Sequence, residues 1–187
     1  MSKQSFSLLE GVITVGALVT SAAAVYIAWD QAQTMRVEQH ASVFPAIQID
    51  PIEGYSNGGG LTVGFSVENA GVGPAFIGHA KLYKGATPLL GYEEITRIVP
   101  SDVDIQFEQL TGRVLAPGVS RNALKLHWRE FAIPQEKIDG VYTSTSDWSM
   151  EVCYCSTLDR CWISRSGQRV HPHRVETCDQ PDETGLF

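Results

Sequence analysis

Between Leu8 and Trp29 the chain reads LLEGVITVGALVTSAAAVYIAW, with Glu10 as its single charged side chain. As an α-helix this stretch is roughly 33 Å long, enough to cross a hydrocarbon core of about 30 Å. The sequence therefore divides into a membrane anchor and whatever follows it. Ser7 and Glu10 have the spacing of a capping box, and a carboxylate in the first turn gains from the helix dipole. The alternative for Glu10 is a buried acid that pairs with a partner subunit. Gly16, Thr20, Ala24 and Ala28 recur every four residues as a shallow ridge, with Ala17 and Ser21 beside it. Such a ridge either admits the backbone of a partner helix or simply faces lipid. Tyr26 and Trp29 fit an aromatic belt at the far interface. Ala22 to Ala24 resemble a cleavage site, yet the apolar run continues to Trp29, which favours an uncleaved signal anchor. Lys3 precedes the helix and Asp30 comes before Arg36, so the positive-inside bias puts the N-terminus in the cytoplasm.

The expected organisation is a cytoplasmic N-terminus over 1–7, a transmembrane helix over 8–29, a helical stalk over 30–43 and a head over 44–187. The stalk, DQAQTMRVEQHASV, is polar and lacks Gly and Pro, and Pro45 marks its end. About 145 residues remain for the head, the size of one domain. A formal net charge of -7 argues against nonspecific nucleic-acid binding and against adhesion to anionic headgroups.

Strand patterns with turn chemistry between them run through the head. Ala46, Ile47 and Ile49 begin a first strand, Ser56 to Gly60 forms a turn, and Leu61, Val63, Phe65 and Val67 alternate with small or polar residues. Further strands are expected at Phe76 to Tyr83, Val114 to Ala116, Leu124 to Trp128 and Trp148 to Tyr154. Tyr92 to Val99 and Gln135 to Val141 have helical patterns. The fold class expected is mainly β: an antiparallel immunoglobulin-like sandwich with short helical insertions, behind an N-terminal transmembrane helix.

The run Val67-Glu68-Asn69-Ala70-Gly71-Val72-Gly73-Pro74-Ala75, with the later Leu115-Ala116-Pro117-Gly118, resembles bacterial extracytoplasmic immunoglobulin-like modules of the CARDB type. The likeness covers Leu61 to Trp128; the Tyr92 to Val99 insertion and the cysteine-bearing C-terminal part depart from it. It implies a sandwich used for binding or spacing, with no catalytic residues to carry over. The chain is also similar to uncharacterised bacterial single-pass membrane proteins with one small head. Read from the residues alone, Asn69 makes a side-chain turn, Gly71 and Gly73 permit positive φ, and Pro74 presets the next strand. A phosphate-cradling loop would need a Gly-Lys-Ser/Thr or a full GxGxxG, and neither follows Gly71 or Gly58 to Gly60.

All four cysteines, Cys153, Cys155, Cys161 and Cys178, lie late in the chain. Cys153 and Cys155 share one face of a strand, with Ser156 to Arg160 as a hairpin loop returning at Cys161. An even count outside the cytoplasm points to two disulfides. A Cys153–Cys155 bond is disfavoured as a strained i,i+2 ring, so each pairs with Cys161 or Cys178, and which goes to which is open. The competing reading is a metal site of Cys153, Cys155, Cys161, His171, His173 and Cys178, though no Cys-x2-Cys knuckle is present. Arg160, Arg165, Arg169 and Arg174 make a locally basic end, either for an acidic partner or phosphate or as a solvated hairpin balanced by Asp159 and Glu176.

HExxH, GxSxG and Walker motifs are absent from the sequence. His79, His127, Asp102 and Asp104 lie in or beside strand patterns with no nucleophile at a diagnostic spacing. The expected role is non-enzymatic and without a cofactor: a single-pass protein of a bacterial inner membrane, its head in the periplasm binding another protein as an accessory subunit. The expected partners are the lipid bilayer and a protein of a membrane assembly, not nucleic acid. The second expectation is a metal-handling or thiol-redox protein built on the cysteine cluster.

Overall fold

A computed structural model of the chain describes residues 8–55, 60–99, 103–129, 141, 145–167 and 172–178. It divides into two compact units between Ser42 and Val43.

The first unit is one helix, α1, Leu8–Ser42, which runs without a break from the apolar stretch through the polar residues after Trp29. Ala, Val, Leu and Ile dominate its first half, and Val12, Val15, Leu18, Val25 and Ile27 are all exposed. It is long and apolar enough to cross a membrane, the form of an anchor or of a signal sequence. Its hydroxyls suit an apolar solvent. Thr14 Oγ1 donates to Glu10 O at 2.8 Å, Thr20 Oγ1 to Gly16 O at 3.0 Å, and Ser21 Oγ to Leu18 O at 2.9 Å. Each hydroxyl is thus satisfied inside its own helix. Ser7, the expected cap, lies outside the described residues.

The second unit is mainly β. Its strands are β1 Ile47–Tyr55, β2 Leu61–Asn69, β3 Ala75–Lys84, β4 Thr87–Leu89, β5 Val103–Phe107, β6 Val114–Leu115, β7 Ser120–Trp128, β8 Trp148–Cys155, β9 Cys161–Arg165 and β10 His173–Val175. A short helix, α2, Tyr92–Ile98, sits between β4 and β5. Among the described residues they form two antiparallel sheets. One has the order β1-β2-β7-β5, the other β10-β9-β8-β3-β4, with β6 also paired to β3.

Alternation explains the first sheet. Leu61, Val63, Phe65 and Val67 of β2 face one way and meet Trp128, Leu126 and Leu124 of β7 in register. In the second sheet Met150, Val152 and Tyr154 of β8 lie beside Leu82, Ala80 and Ile77 of β3. Both inner faces belong to one core, and each fully buried large side chain, Trp128 and Tyr154 among them, contributes about 2 kcal/mol or more by leaving water. Ser164 Oγ on β9 donates to Ile47 O on β1 at 2.8 Å, a polar tie from sheet to sheet.

Three differences from expectation have physical reasons. β1 continues past Pro51, because an edge strand needs no donor on its open side. β5 was not expected; its Val103, Ile105 and Phe107 alternate over only five residues, and pairing with β7 fixes it. β4 and β10 have three residues each, too few for a period to show. The turn at 56–59 and the helical pattern at 135–140 fall outside the described residues.

Candidate functional sites: a sulfur cluster and an acidic cleft

The Asn69 turn is a structural node. Asn69 is fully buried, and its Oδ1 accepts from Ala46 N at 3.2 Å and Gly71 N at 3.0 Å. Its Nδ2 donates to Gly73 O at 2.8 Å and Leu115 O at 2.9 Å. The second motif closes on the same residue: Gly118 N donates to Asn69 O at 2.8 Å, and Val119 N to Ala116 O at 3.2 Å. Pro117 and Gly118, the latter at φ 73°, occupy the middle of that turn. Gly71 and Gly73 correct the expectation of positive φ. They are glycine because the chain between Val43 and Ala46 passes over them: a Cβ on Gly73 would lie 2.0 Å from Val43 O, and one on Gly71 2.4 Å from Ala46 N. Pro74 follows, half-buried, just before β3.

The cysteines gather on the outward face of β8 and β9. Cys153 is bonded to Cys178 and Cys155 to Cys161. Cys155 and Cys161 stand directly opposite in the β8–β9 hairpin, whose loop is held by Ser156 Oγ accepting from Leu158 N and Arg160 N, both at 3.3 Å. Cys178 reaches the sheet over Gly78, where a Cβ would lie 2.4 Å from the Cys178 Cβ. Gly78 falls where the β3–β8 register shifts, so the bulge and the missing side chain together make the seat. The two disulfides touch, with Cys155 Sγ 3.7 Å from Cys178 Sγ, and Cys155, Cys161 and Cys178 keep their sulfurs within 4.8 Å of one another. For the metal reading this means that all four sulfurs are bonded to carbon and sulfur alone. Of its two histidines, His173 is exposed on β10 and His171 lies outside the described residues.

Beside the sulfurs runs a charged row. Glu151 is buried, accepts from Arg165 Nε at 2.5 Å, and has His79 Nε2 at 3.6 Å. His79 is the cross-strand neighbour of Cys153. Burial, and next the Glu151 charge, push the Tyr83 hydroxyl above its ordinary pKa against the opposing effect of Arg165. Burial likewise raises Tyr154 on the inner face, opposed by its bonds to Ser164 and the Ile47 backbone. Arg165 is thus an ion-pair partner, whereas Arg174 is exposed and Arg160 half-buried in the hairpin loop; Arg169 is outside the described residues.

On the opposite sheet, Thr62 Oγ1 lies 3.0 Å from His127 Nδ1, and Asp104 stands across from His127 while pairing with Arg129 at 3.5 Å. This row was invisible in the sequence because Thr62 and His127 are 65 positions apart. It crosses a sheet face outside the core and reads as a cross-strand ladder. Asp102 lies outside the described residues. The ridge of Gly16, Thr20, Ala24 and Ala28 lies exposed along α1.

Sequence reasoning missed a cleft between the two sheets. It measures about 700 Å³ and has an apolar floor of Val63, Phe65, Leu124, Leu126 and Trp148. Glu53 and Asp147 bring negative charge to its lining, and no Lys or Arg among the described residues lines it. Trp148 is buried at 7% exposure, and its Nε1 has no hydrogen-bond partner among the described residues. A volume in the range of ligand sites, apolar surface and two carboxylates suit an apolar group that carries a positive charge. The lining comes from β1, β2, β7, β8 and the turns beside β8 and β9, so no local spacing announces it. The chain matches no protein-family model and no curated protein sequence.

Proposed function

We propose that this chain is a non-enzymatic, single-pass membrane protein whose head, an immunoglobulin-like β-sandwich, receives a segment of another protein in the cleft between its sheets. The cleft carries this reading. Its apolar floor and acidic lining fit an extended segment with an apolar side chain and a Lys or Arg for Glu53 and Asp147. The apolar run that continues past Ala22 to Ala24 as far as Trp29 supports an uncleaved anchor, and two disulfides support a head in an oxidising compartment. The cation bias before the helix supports the rest of the reading: a bacterial inner membrane, the N-terminus in the cytoplasm and the head in the periplasm. The ridge of Gly16, Thr20, Ala24 and Ala28 would pack the anchor within the same assembly.

The test places a photo-crosslinking residue at Glu53 in the full chain in its native membrane, with a control at exposed Gln106. One defined protein adduct at Glu53, absent at Gln106 and lost on Asp147→Lys, is the expected result. Equal labelling at both positions, or an adduct indifferent to Asp147→Lys, overturns the reading.

A further inference from the structure

The two disulfides lie in contact, and that contact joins one sulfur of each. Cys155 Sγ is 3.7 Å from Cys178 Sγ, about the separation of sulfurs in van der Waals contact. We infer that Cys155 is the transfer thiol of an internal relay that moves reduction from Cys155–Cys161 to buried Cys153, with Cys155–Cys178 as the relay's second disulfide. The inference does not depend on what the cleft binds.

The exchange is balanced with a dithiol, small or protein-borne, as the external reactant. The dithiol reduces Cys155–Cys161 to two thiols and becomes a disulfide itself. Cys155, as its thiolate, attacks Cys178 Sγ. A Cys155–Cys178 bond forms, the Cys153–Cys178 bond breaks, and Cys153 leaves with the electron pair. The proton lost by Cys155 equals the one gained by Cys153. The net change is one dithiol oxidised and one protein disulfide reduced, with the surviving bond relocated.

Several observations favour this path over simple reduction. Cys153 and Cys155 sit two apart on one strand with side chains on the same face, so Cys178 is within reach of both from one seat. Gly78 holds that seat open. Cys155 and Cys178 are half-buried whereas Cys153 is 1% exposed, so exchange carries a free thiol from an accessible position to one shielded from solvent. A relay of this kind would let a thiol partner at the hairpin change the covalent tie of the C-terminal segment.

The experiment uses the full chain in detergent. In Cys161→Ser, Cys155 has lost its partner and is in the state that the relay requires. After acid quench, alkylation and peptide mapping, the expected result is a substantial Cys155–Cys178 population with Cys153 alkylated. Exclusive retention of Cys153–Cys178, with every Cys155 alkylated, overturns the proposal. If Cys161→Ser does not fold, the wild-type chain is reduced stepwise with a phosphine, quenched and mapped. Among molecules holding one disulfide, Cys155–Cys178 is then expected, and its absence overturns the proposal equally.

Discussion

Asn69 and the cysteine cluster do the same job by different chemistry. Each gathers segments far apart in sequence onto one point of the head. Asn69 ties the entry to β1, its own turn and β6 with four side-chain hydrogen bonds. The cluster ties β8, β9 and the segment after β10 with two sulfur bonds. The hydrogen-bonded node depends on burial, since its bonds are strong only where water cannot compete. The covalent node instead restricts the unfolded chain, and its effect grows with the loop it closes. One node is therefore tested by breaking complementarity, the other by changing loop length.

The largest effect is expected for the longer sulfur loop. Replacing both Cys153 and Cys178 by Ala opens a separation of 25 residues, and loop entropy gives about 3.5 kcal/mol of lost stability; opening the 6-residue separation of Cys155 and Cys161 gives about 2 kcal/mol. Urea unfolding of the two double variants measures the difference. Equal losses would mean that the loops are not what the sulfur bonds restrain.

Asn69→Leu comes next, at about 3 kcal/mol, because it leaves two donors and two acceptors in the interior without their side-chain partner. Asn69→Asp sharpens the test. The introduced carboxylate keeps the two accepted bonds but turns an oxygen toward Gly73 O and Leu115 O, which raises its pKa in the folded state. Stability should therefore recover as pH falls and the carboxyl becomes a donor again. A variant equally stable at neutral and acid pH would deny Asn69 its donating role.

The smallest effect concerns the hydroxyls of Tyr83 and Tyr154, both raised by burial in the folded chain. Above about pH 10 the unfolded chain gives up its phenolic protons first, so the native state holds more protons and stability falls as pH rises. Tyr154→Phe should flatten part of that decline in alkaline thermal melts. An unchanged slope would assign it to other groups.

The two nodes also differ in how far the sequence announced them. Asn69-x-Gly71 and Leu115-x-Pro117-Gly118 were legible as turns because turn chemistry is local. Their mutual bonding across 46 positions was not, nor was the reason for Gly71 and Gly73, since sterics from Val43 to Ala46 leave the same glycine in the sequence that a positive φ would. The clustering of cysteines was legible, and so was the shared face of Cys153 and Cys155, from the period of a strand. The pairing was open because it depends on Gly78 and the β3 bulge, which place Cys178 over Cys153. The cleft was hidden for the same reason as the Thr62–His127 contact: both arise where separate strands converge.

The Cys153–Cys178 bond also changes what a broken backbone would look like. A protease that cuts anywhere between Trp162 and Thr177 leaves two pieces still held together, because the bond spans the cut. Exchange to Cys155–Cys178 would not release them either. On a gel, such a nicked chain runs at full size until reductant is added, so damage to this end of the head stays concealed and the severed tail travels with the rest.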